Sequence, residues 1–382
     1  MTPWDLNLRH LRAFVRTVEL GALVAAAKSV NVSQPALTQA IAGLERALAQ
    51  DLFIRTNDGM RATDAAHTFY PRVLAALGYI QSNRVTQTQL RAFWAVARGS
   101  SYAEASQHTG LAPASLHRAV SDLEAALGQD LLQREGRRLQ LTAFGRQFAR
   151  RVKLAFAELE SGLAELAALN GQDDGRIFIG AMPLSRARIL PATIVQFQKV
   201  HPESQILVAE GSHAELIDPL RDGELDILVG ALRDPPPGRD LVQEPLFVDR
   251  PVVVGRAGHP LAGKRKPPGL KDLARYEWCL PARGAPLRDR WQAQFEAQNI
   301  RPPRVRAEIG SVMMIREILM NTDALTLLSP DQVSVELQAG WLQKVAPTRI
   351  NRTIGFTYRA NWRPTALQTR FIETMQSISA GG

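Results

Sequence analysis

The sequence predicts a multidomain chain: two tandem, all-α-rich units each closed by a small β-hairpin, a long linker helix, and a two-lobed α/β domain. Three observations carry this. Residues 11–63 recur at 90–142, a spacing of 79. An apolar stripe at three- and four-residue steps runs through 148–166. Beyond residue 175 the rhythm changes to alternating strands and helices.

The 382 residues exceed one ordinary core. Apolar residues make up 45%, charged residues 22% and aromatics 6%, a globular composition. Cys279 is the only cysteine, so no disulfide framework forms within a chain, and a cytoplasmic setting is expected. Met1 to Arg12 lack an apolar segment, and no apolar run approaches 18 residues, so neither a secretory signal nor a membrane partner is expected. The net charge of +9 suggests a polyanionic partner. Its distribution weakens that suggestion: residues 1–175 carry 19 Lys and Arg against 16 Asp and Glu, a net +3, and the remainder carries +6.

In the repeat, Leu11-Arg12-Ala13-Phe14 returns as Leu90-Arg91-Ala92-Phe93, Leu44-Glu45 as Leu123-Glu124, and Gln50-Asp51-Leu52 as Gln129-Asp130-Leu131. Arg55 and Thr63 return as Arg134 and Thr142, while Gly21 matches Gly99 after a compensated one-residue shift. Each copy reads as three short helices and a wing. Leu11, Phe14, Val15 and Val18 give the first helix an apolar face, and Gly21 ends it. Ala25, Ala26 and Ala27 form a short second helix, and Val30-Asn31-Val32 is the turn. Ser33 caps the third helix, with Pro35 in its first turn. Leu37, Ile41, Leu44 and Leu48 lie on one face, leaving Gln34, Thr38 and Gln39 on the other. Polar residues at the start of a capped helix suit base edges in a DNA major groove. Leu52-Phe53-Ile54 and Met60-Arg61-Ala62 pair as a hairpin around Asn57-Asp58-Gly59.

The copies differ. The second begins its third helix with Ala112-Pro113-Ala114-Ser115 and offers Ser115, His117 and Arg118 for reading. Its wing is more basic, with Arg134, Arg137 and Arg138 around Gly136, against Arg55 and Arg61 beside Asp58 and Asp64 in the first. Copy one therefore holds the better base-reading residues and copy two the better phosphate-gripping ones. The plain alternative is that copy two is a spacer and its arginines an exposed turn.

These residues resemble the LysR family. The strings Leu8-Arg9-His10-Leu11-Arg12-Ala13-Phe14, Val32-Ser33-Gln34-Pro35-Ala36-Leu37-Thr38-Gln39 and Leu44-Glu45 before Leu52-Phe53-Ile54-Arg55 carry the likeness. It implies winged helix-turn-helix domains binding double-stranded DNA. The family has one such domain per chain, so the second copy is a departure. The domains expected are a first winged helix-turn-helix at 6–66, a short linker helix at 67–84, a second winged helix-turn-helix at 85–145, and a linker helix at 146–170. Ala65, Phe69, Val73, Leu77 and Ile80 give the short linker helix its face; Phe148, Val152, Phe156, Leu159, Leu163 and Leu166 stripe the long one. A narrow apolar stripe asks for a partner helix. In the family that partner comes from a second subunit, implying a homodimer or homotetramer. The short helix of copy one is the alternative partner.

After a hinge at residues 170–175, the effector domain is expected at 176–382. Its first lobe covers about 176–249 and 351–382, and its second about 250–350. Arg176–Gly180, Gln205–Ala209 and Asp226–Gly230 read as strands, with a helix over Ile189–Val200 and a Ser212/Glu215 capping box. Pro251–Val254 begins the second lobe, and strand Thr353–Tyr358 returns to the first. Ile189-Leu190-Pro191, Gly223-Glu224-Leu225-Asp226-Ile227 and Gly258-His259-Pro260-Leu261 resemble the family's effector domain, which is shaped like a periplasmic binding protein. Ligand sites of such folds lie where strands end and helices begin. That selects Pro183, Leu184, Ser185, Ser212, His213, Gly230 and Ser311 for an anionic effector, with Leu232, Met313 and Pro330 as apolar walls. Each serine is equally well read as a helix cap. The fingerprint near Gly180-Ala181-Met182-Pro183 is similar to regulators of aromatic-acid and sugar catabolism.

The rival reading is an enzyme or solute-binding protein built on the two-lobed domain. No phosphate-binding loop, dinucleotide fingerprint or nucleophile elbow is present, and the seven histidines have no metal-ligand spacing. No catalytic residue, metal or cofactor is expected. The resemblance implies that a small molecule reshapes the cleft, shifting the DNA-binding heads and their contact with RNA polymerase.

Overall fold

The computed structural model describes every residue except 57, 58, 100, 137, 173, 174, 264, 381 and 382. The chain forms two compact units, one of residues 1–175 with 222–224 and the other of the remainder.

The first unit is built twice from the same parts. Helices α1 (Leu8–Leu20), α2 (Leu23–Ser29) and α3 (Gln34–Leu48) lead into strands β1 (Phe53–Thr56) and β2 (Gly59–Ala62) and helix α4 (Asp64–Ile80). Then α5 (Gln87–Arg98), α6 (Tyr102–Thr109), α7 (Pro113–Leu127), β3 (Leu132–Glu135), β4 (Arg138–Leu141) and α8 (Ala143–Leu169) follow. Both strand pairs are antiparallel hairpins. The hairpin tip expected at Asn57-Asp58 lies outside the described residues. Gly21 ends α1 in the left-handed region at φ 64°.

The repeated polar residues are internal fasteners. Glu45 Oε1 accepts from the backbone N–H of Leu52 and Phe53 at 2.9 and 3.1 Å, and Glu124 Oε1 from Leu131 and Leu132 at 2.8 and 3.2 Å. The Thr63 hydroxyl donates to the Asp51 carbonyl and caps α4; Thr142 does the same with Asp130 and α8. The repeat thus preserves the joints between the third helix of each copy, its hairpin and the helix that follows.

One apolar core runs through both copies, from Leu6 to Leu166. Helices α4 and α8 lie antiparallel within it, with Phe69 opposite Gly162 and Ile80 opposite Arg151. The α8 stripe therefore finds its partner in the same chain. Gly145 and Gly162, each a small cost to an isolated helix, are required by packing. A Cβ at Gly145 would fall 2.0 Å from the Leu131 carbonyl oxygen, and one at Gly162 would fall 2.9 Å from the Phe69 ring.

The second unit contains a five-stranded sheet ordered β6-β5-β7-β14-β8. Its elements are β5 (Arg176–Ala181), α9 (Ile189–Val200), β6 (Gln205–Glu210), α10 (His213–Asp222), β7 (Ile227–Ala231) and β8 (Leu241–Asp249). Strand β5 is parallel to β6 and β7, whereas β14 runs antiparallel to β7 and β8. The chain then builds a second layer from β9 (Val252–Arg256), α11 (Leu270–Leu273), β10 (Trp278–Leu280), α12 (Pro286–Glu296) and β11 (Val305–Glu308). It continues with α13 (Val312–Met320), β12 (Thr326–Leu328), α14 (Ser334–Gln338) and β13 (Leu342–Ala346), before β14 (Arg352–Arg359) and α15 (Ala366–Ala380) return to the first sheet. Strand β9 is flanked by β12 and β13, and β10 pairs with β11. Separate cores form under each sheet, one around Ile179, Phe197, Phe356 and Phe371, the other around Trp278, Trp291 and Phe295. Two crossings join the lobes. They are tied where Thr348 Oγ1 donates to the Pro251 carbonyl at 2.5 Å and Arg352 bonds Asp249 at 2.6 Å.

Candidate nucleic-acid interface and effector site

Helix α3 stands on buried Leu37, Ile41 and Leu44. That anchoring leaves Ser33, Gln34, Pro35 and Gln39 exposed and Thr38 partly so. The Ser33 hydroxyl accepts from Ala36 N, capping the helix, and the Thr38 hydroxyl donates to the Gln34 carbonyl at 3.0 Å. The side-chain amides of Gln34 and Gln39 make no hydrogen bond among the described residues. Helix α7 repeats the arrangement on buried Leu116, Val120 and Leu123, with Ser115, His117 and Arg118 exposed. Its cap residue, Ala112, makes no side-chain cap bond. The His117 ring lies 5.2 Å from the Tyr102 ring, which limits its swing.

Arg55, Arg61, Arg134 and Arg138 are exposed on the hairpins, and none forms an ion pair among the described residues. Arg137 lies outside the described residues. The first wing is docked: Met60 N donates to the Gly21 carbonyl at 3.1 Å, and a Cβ on Gly59 would sit 2.8 Å from that oxygen.

In the second unit the candidates divide. Ser185 is fully buried and donates its hydroxyl to the Met182 carbonyl at 2.8 Å, so that hydroxyl is spent on the fold. Ser212 and Ser311 act as caps, Ser212 in the expected capping box with Glu215. Leu184 is buried; Pro183, Leu232 and Pro330 are half-buried. Met313 is 69% exposed, which places it on the surface rather than against an apolar wall. Gly230 is dictated by packing, since a Cβ there would lie 2.4 Å from the Met182 methyl. His213 is half-buried near Arg233 and Arg221; burial first, then those two cations, push its pKa down to about 4, so the ring is neutral at pH 7. The sequence signals therefore select several groups that serve the fold: Ser185 as a bond to its own turn, Ser212 and Ser311 as caps, and Gly230 by packing.

Sequence reasoning missed the arginines. Arg188 bonds Asp331 at 2.8 Å, linking the two lobes. Arg288, on the first turn of α12, is 6% exposed, and its Nε and Nη1 have no hydrogen-bond partner among the described residues. Its guanidinium sits 5.2 Å from the Trp291 ring centroid, and Trp291 Nε1 is also unsatisfied. Burial pushes the Arg288 pKa down, opposed by Glu308. A buried, unpaired cation costs several kcal/mol unless an acceptor joins it. The signal was present as an arginine two residues after Pro286 at a helix start, beyond a buried strand.

A family model described as the bacterial regulatory helix-turn-helix protein, lysR family, matches residues 8–67 and 87–146. A second, the LysR substrate binding domain, matches 170–379. The chain is 33% identical over 369 residues to the HTH-type transcriptional regulator GalR of Pseudomonas putida, which covers 93% of this chain and 92% of that one. It is 27% identical over 287 residues to the regulator PcaQ of Agrobacterium fabrum, covering 74% and 91%. Among solved structures, a full-length OxyR variant of Pseudomonas aeruginosa is 22% identical with a TM-score of 0.55, covering 76% of this chain and 93% of its own. The share lacking a counterpart in PcaQ or OxyR is on the scale of one helix-turn-helix unit with its following helix.

Proposed function

This chain belongs to the lysR family of bacterial transcriptional regulators, and we propose that it grips operator DNA with both helix-turn-helix units and answers to a small carboxylate-bearing metabolite. The exposed Gln34 and Gln39 on the capped α3 supply base-edge donors and acceptors, and Arg118 on α7 supplies donors only. Arg55, Arg61, Arg134 and Arg138 on the wings supply phosphate contacts.

The observation that carries the effector chemistry is the buried Arg288, whose Nε and Nη1 have no acceptor among the described residues. A planar carboxylate satisfies a guanidinium with two parallel bonds. An aromatic or sugar acid fits this reading, with its body held toward the strand ends near Leu232 and Pro330. Binding alters the lobes, the heads and the bend they impose, and hence the contact with RNA polymerase. Assembly to a dimer or tetramer is assigned to the second unit, where Val195, Val200, Leu207 and Val208 on α9 and β6 are 60%, 72%, 42% and 39% exposed.

The test pairs two measurements on the full chain. Calorimetry against a panel of aromatic and sugar acids should find a ligand whose affinity falls at least tenfold in Arg288→Gln. Affinity for operator DNA should fall roughly tenfold or more in Gln34→Ala/Gln39→Ala, with an unchanged circular dichroism spectrum. Binding of neutral analogues as tightly as the acids would overturn the effector assignment.

A further inference from the structure

At the 79-residue spacing, the two halves of the first unit hold each other by the same residues in both directions. Arg72 on α4 crosses to Glu158 on α8 at 3.1 Å. Its equivalent, Arg151 on α8, crosses back to the carbonyl of Tyr79, the equivalent of Glu158, at 2.6 Å. Arg12 on α1 donates to the Ser82 and Val85 carbonyls, in the segment entering the second copy, at 2.7 and 3.0 Å. Its equivalent, Arg91 on α5, donates to the Trp4 carbonyl, in the segment entering the first. Leu6 and Val85, equivalent positions in those segments, are both fully buried. Reciprocal contacts, i to j and j to i, mark a twofold interface. Here both sides belong to one chain.

The two reading helices so paired are unlike. Position for position, Gln34 stands where Pro113 does in the other copy, Ala36 where Ser115 does, Thr38 where His117 does, and Gln39 where Arg118 does. Glutamine suits adenine, and arginine suits the O6 and N7 of guanine. The register of α4 against α8 separates their equivalent starts, Thr63 and Thr142, by about 26 residues of helical rise, roughly 40 Å. Successive major grooves on one face of B-DNA recur about every 34–36 Å.

Building on the DNA-binding reading above, the geometry points to a single chain that presents a complete head pair and reads two unlike half-sites one helical turn apart. The operator of one chain is asymmetric. Its α3 half is read through Gln34 and Gln39, and its α7 half through His117 and Arg118. The face of α8 that would join a second chain is already filled by α4.

Selection of bound duplexes from a random pool by the full-length protein tests this. The expected motif has two dissimilar halves centred about 10–11 base pairs apart. Gln34→Ala/Gln39→Ala should flatten one half, with preference there falling roughly tenfold or more. His117→Ala/Arg118→Ala should flatten only the other. A palindrome, or both variants flattening the same half, overturns the inference and leaves DNA binding standing. Failure to enrich any sequence overturns the DNA-binding reading and this inference together.

Discussion

At the scale of single residues, identity in the repeat follows the backbone rather than the base-reading surface. Glu45 and Glu124 each accept two backbone N–H groups from the start of a wing. Charge-assisted bonds of this kind contribute about 1.5–3 kcal/mol. Glu45→Ala and Glu124→Ala are each expected to lower stability by about 2 kcal/mol, read from urea unfolding midpoints. Ala49 and Gly128 are equivalent and both left-handed, at φ 50° and 68°. A Cβ in that region costs about 1–2 kcal/mol, partly offset by glycine's extra freedom when unfolded. Ala49→Gly should therefore stabilise by up to about 1 kcal/mol in the same assay. His213 adds a pH dependence: its folded pKa of about 4 lies below the ordinary 6.5, so the neutral ring is favoured. Its contribution is present in full above pH 6.5 and is lost as pH falls toward 4. Thermal midpoints of wild type and His213→Gln should track each other above pH 6.5 and diverge below it, the wild type losing stability as the half-buried ring is forced to take a proton.

At the scale of elements, the decisive pairing is α4 with α8. Arg72 is 4% exposed and bonds both Glu158 and Glu165. Arg72→Ala leaves two carboxylates beside the core without their cation and should cost about 3–5 kcal/mol. Gly162→Val drives a side chain into Phe69 and should cost about 1–3 kcal/mol. Both variants should loosen both heads together, because one core spans them. Proteolysis that releases one intact head while the other stays folded would contradict this. The stripe through Phe148, Val152, Phe156 and Leu159 was legible because a helix interior repeats every 3.6 residues. Its partner was legible only as a choice between a second subunit and the short helix of copy one, since a stripe states that something covers it and carries no address. The edge strand β6 shows the same limit: Gln205–Ala209 reads as a strand from its own residues, but the exposure of Leu207 and Val208, 42% and 39%, is set by its place at the sheet edge.

At the scale of the whole molecule, the doubled head predicts an unusual salt response. Each phosphate contact contributes to the dependence of affinity on salt. Removing Arg61 and Arg138, one from each wing, should reduce the logarithmic salt slope by about 2 if both wings sit on the backbone, and by about 1 if only one does. Fluorescence anisotropy of the full chain across a salt series measures this. The sequence by itself determined the doubled helix-turn-helix, the long linker helix and the alternating α/β region, because each rests on local periodicity, caps and turns written in consecutive residues. It also marked α3 as a capped helix with one buried and one polar face, since Ser33, Pro35 and the Leu37 face are local signals. Only the tertiary structure decided that α8 is satisfied by α4, that the Ser185 hydroxyl is spent on the Met182 carbonyl, and that Arg288 is buried with its Nε and Nη1 lacking an acceptor among the described residues. The physical reason is common to all three. Burial and hydrogen-bond satisfaction are properties of neighbours distant in the chain, and the same serine, arginine or apolar stripe is written identically whether those neighbours arrive or not.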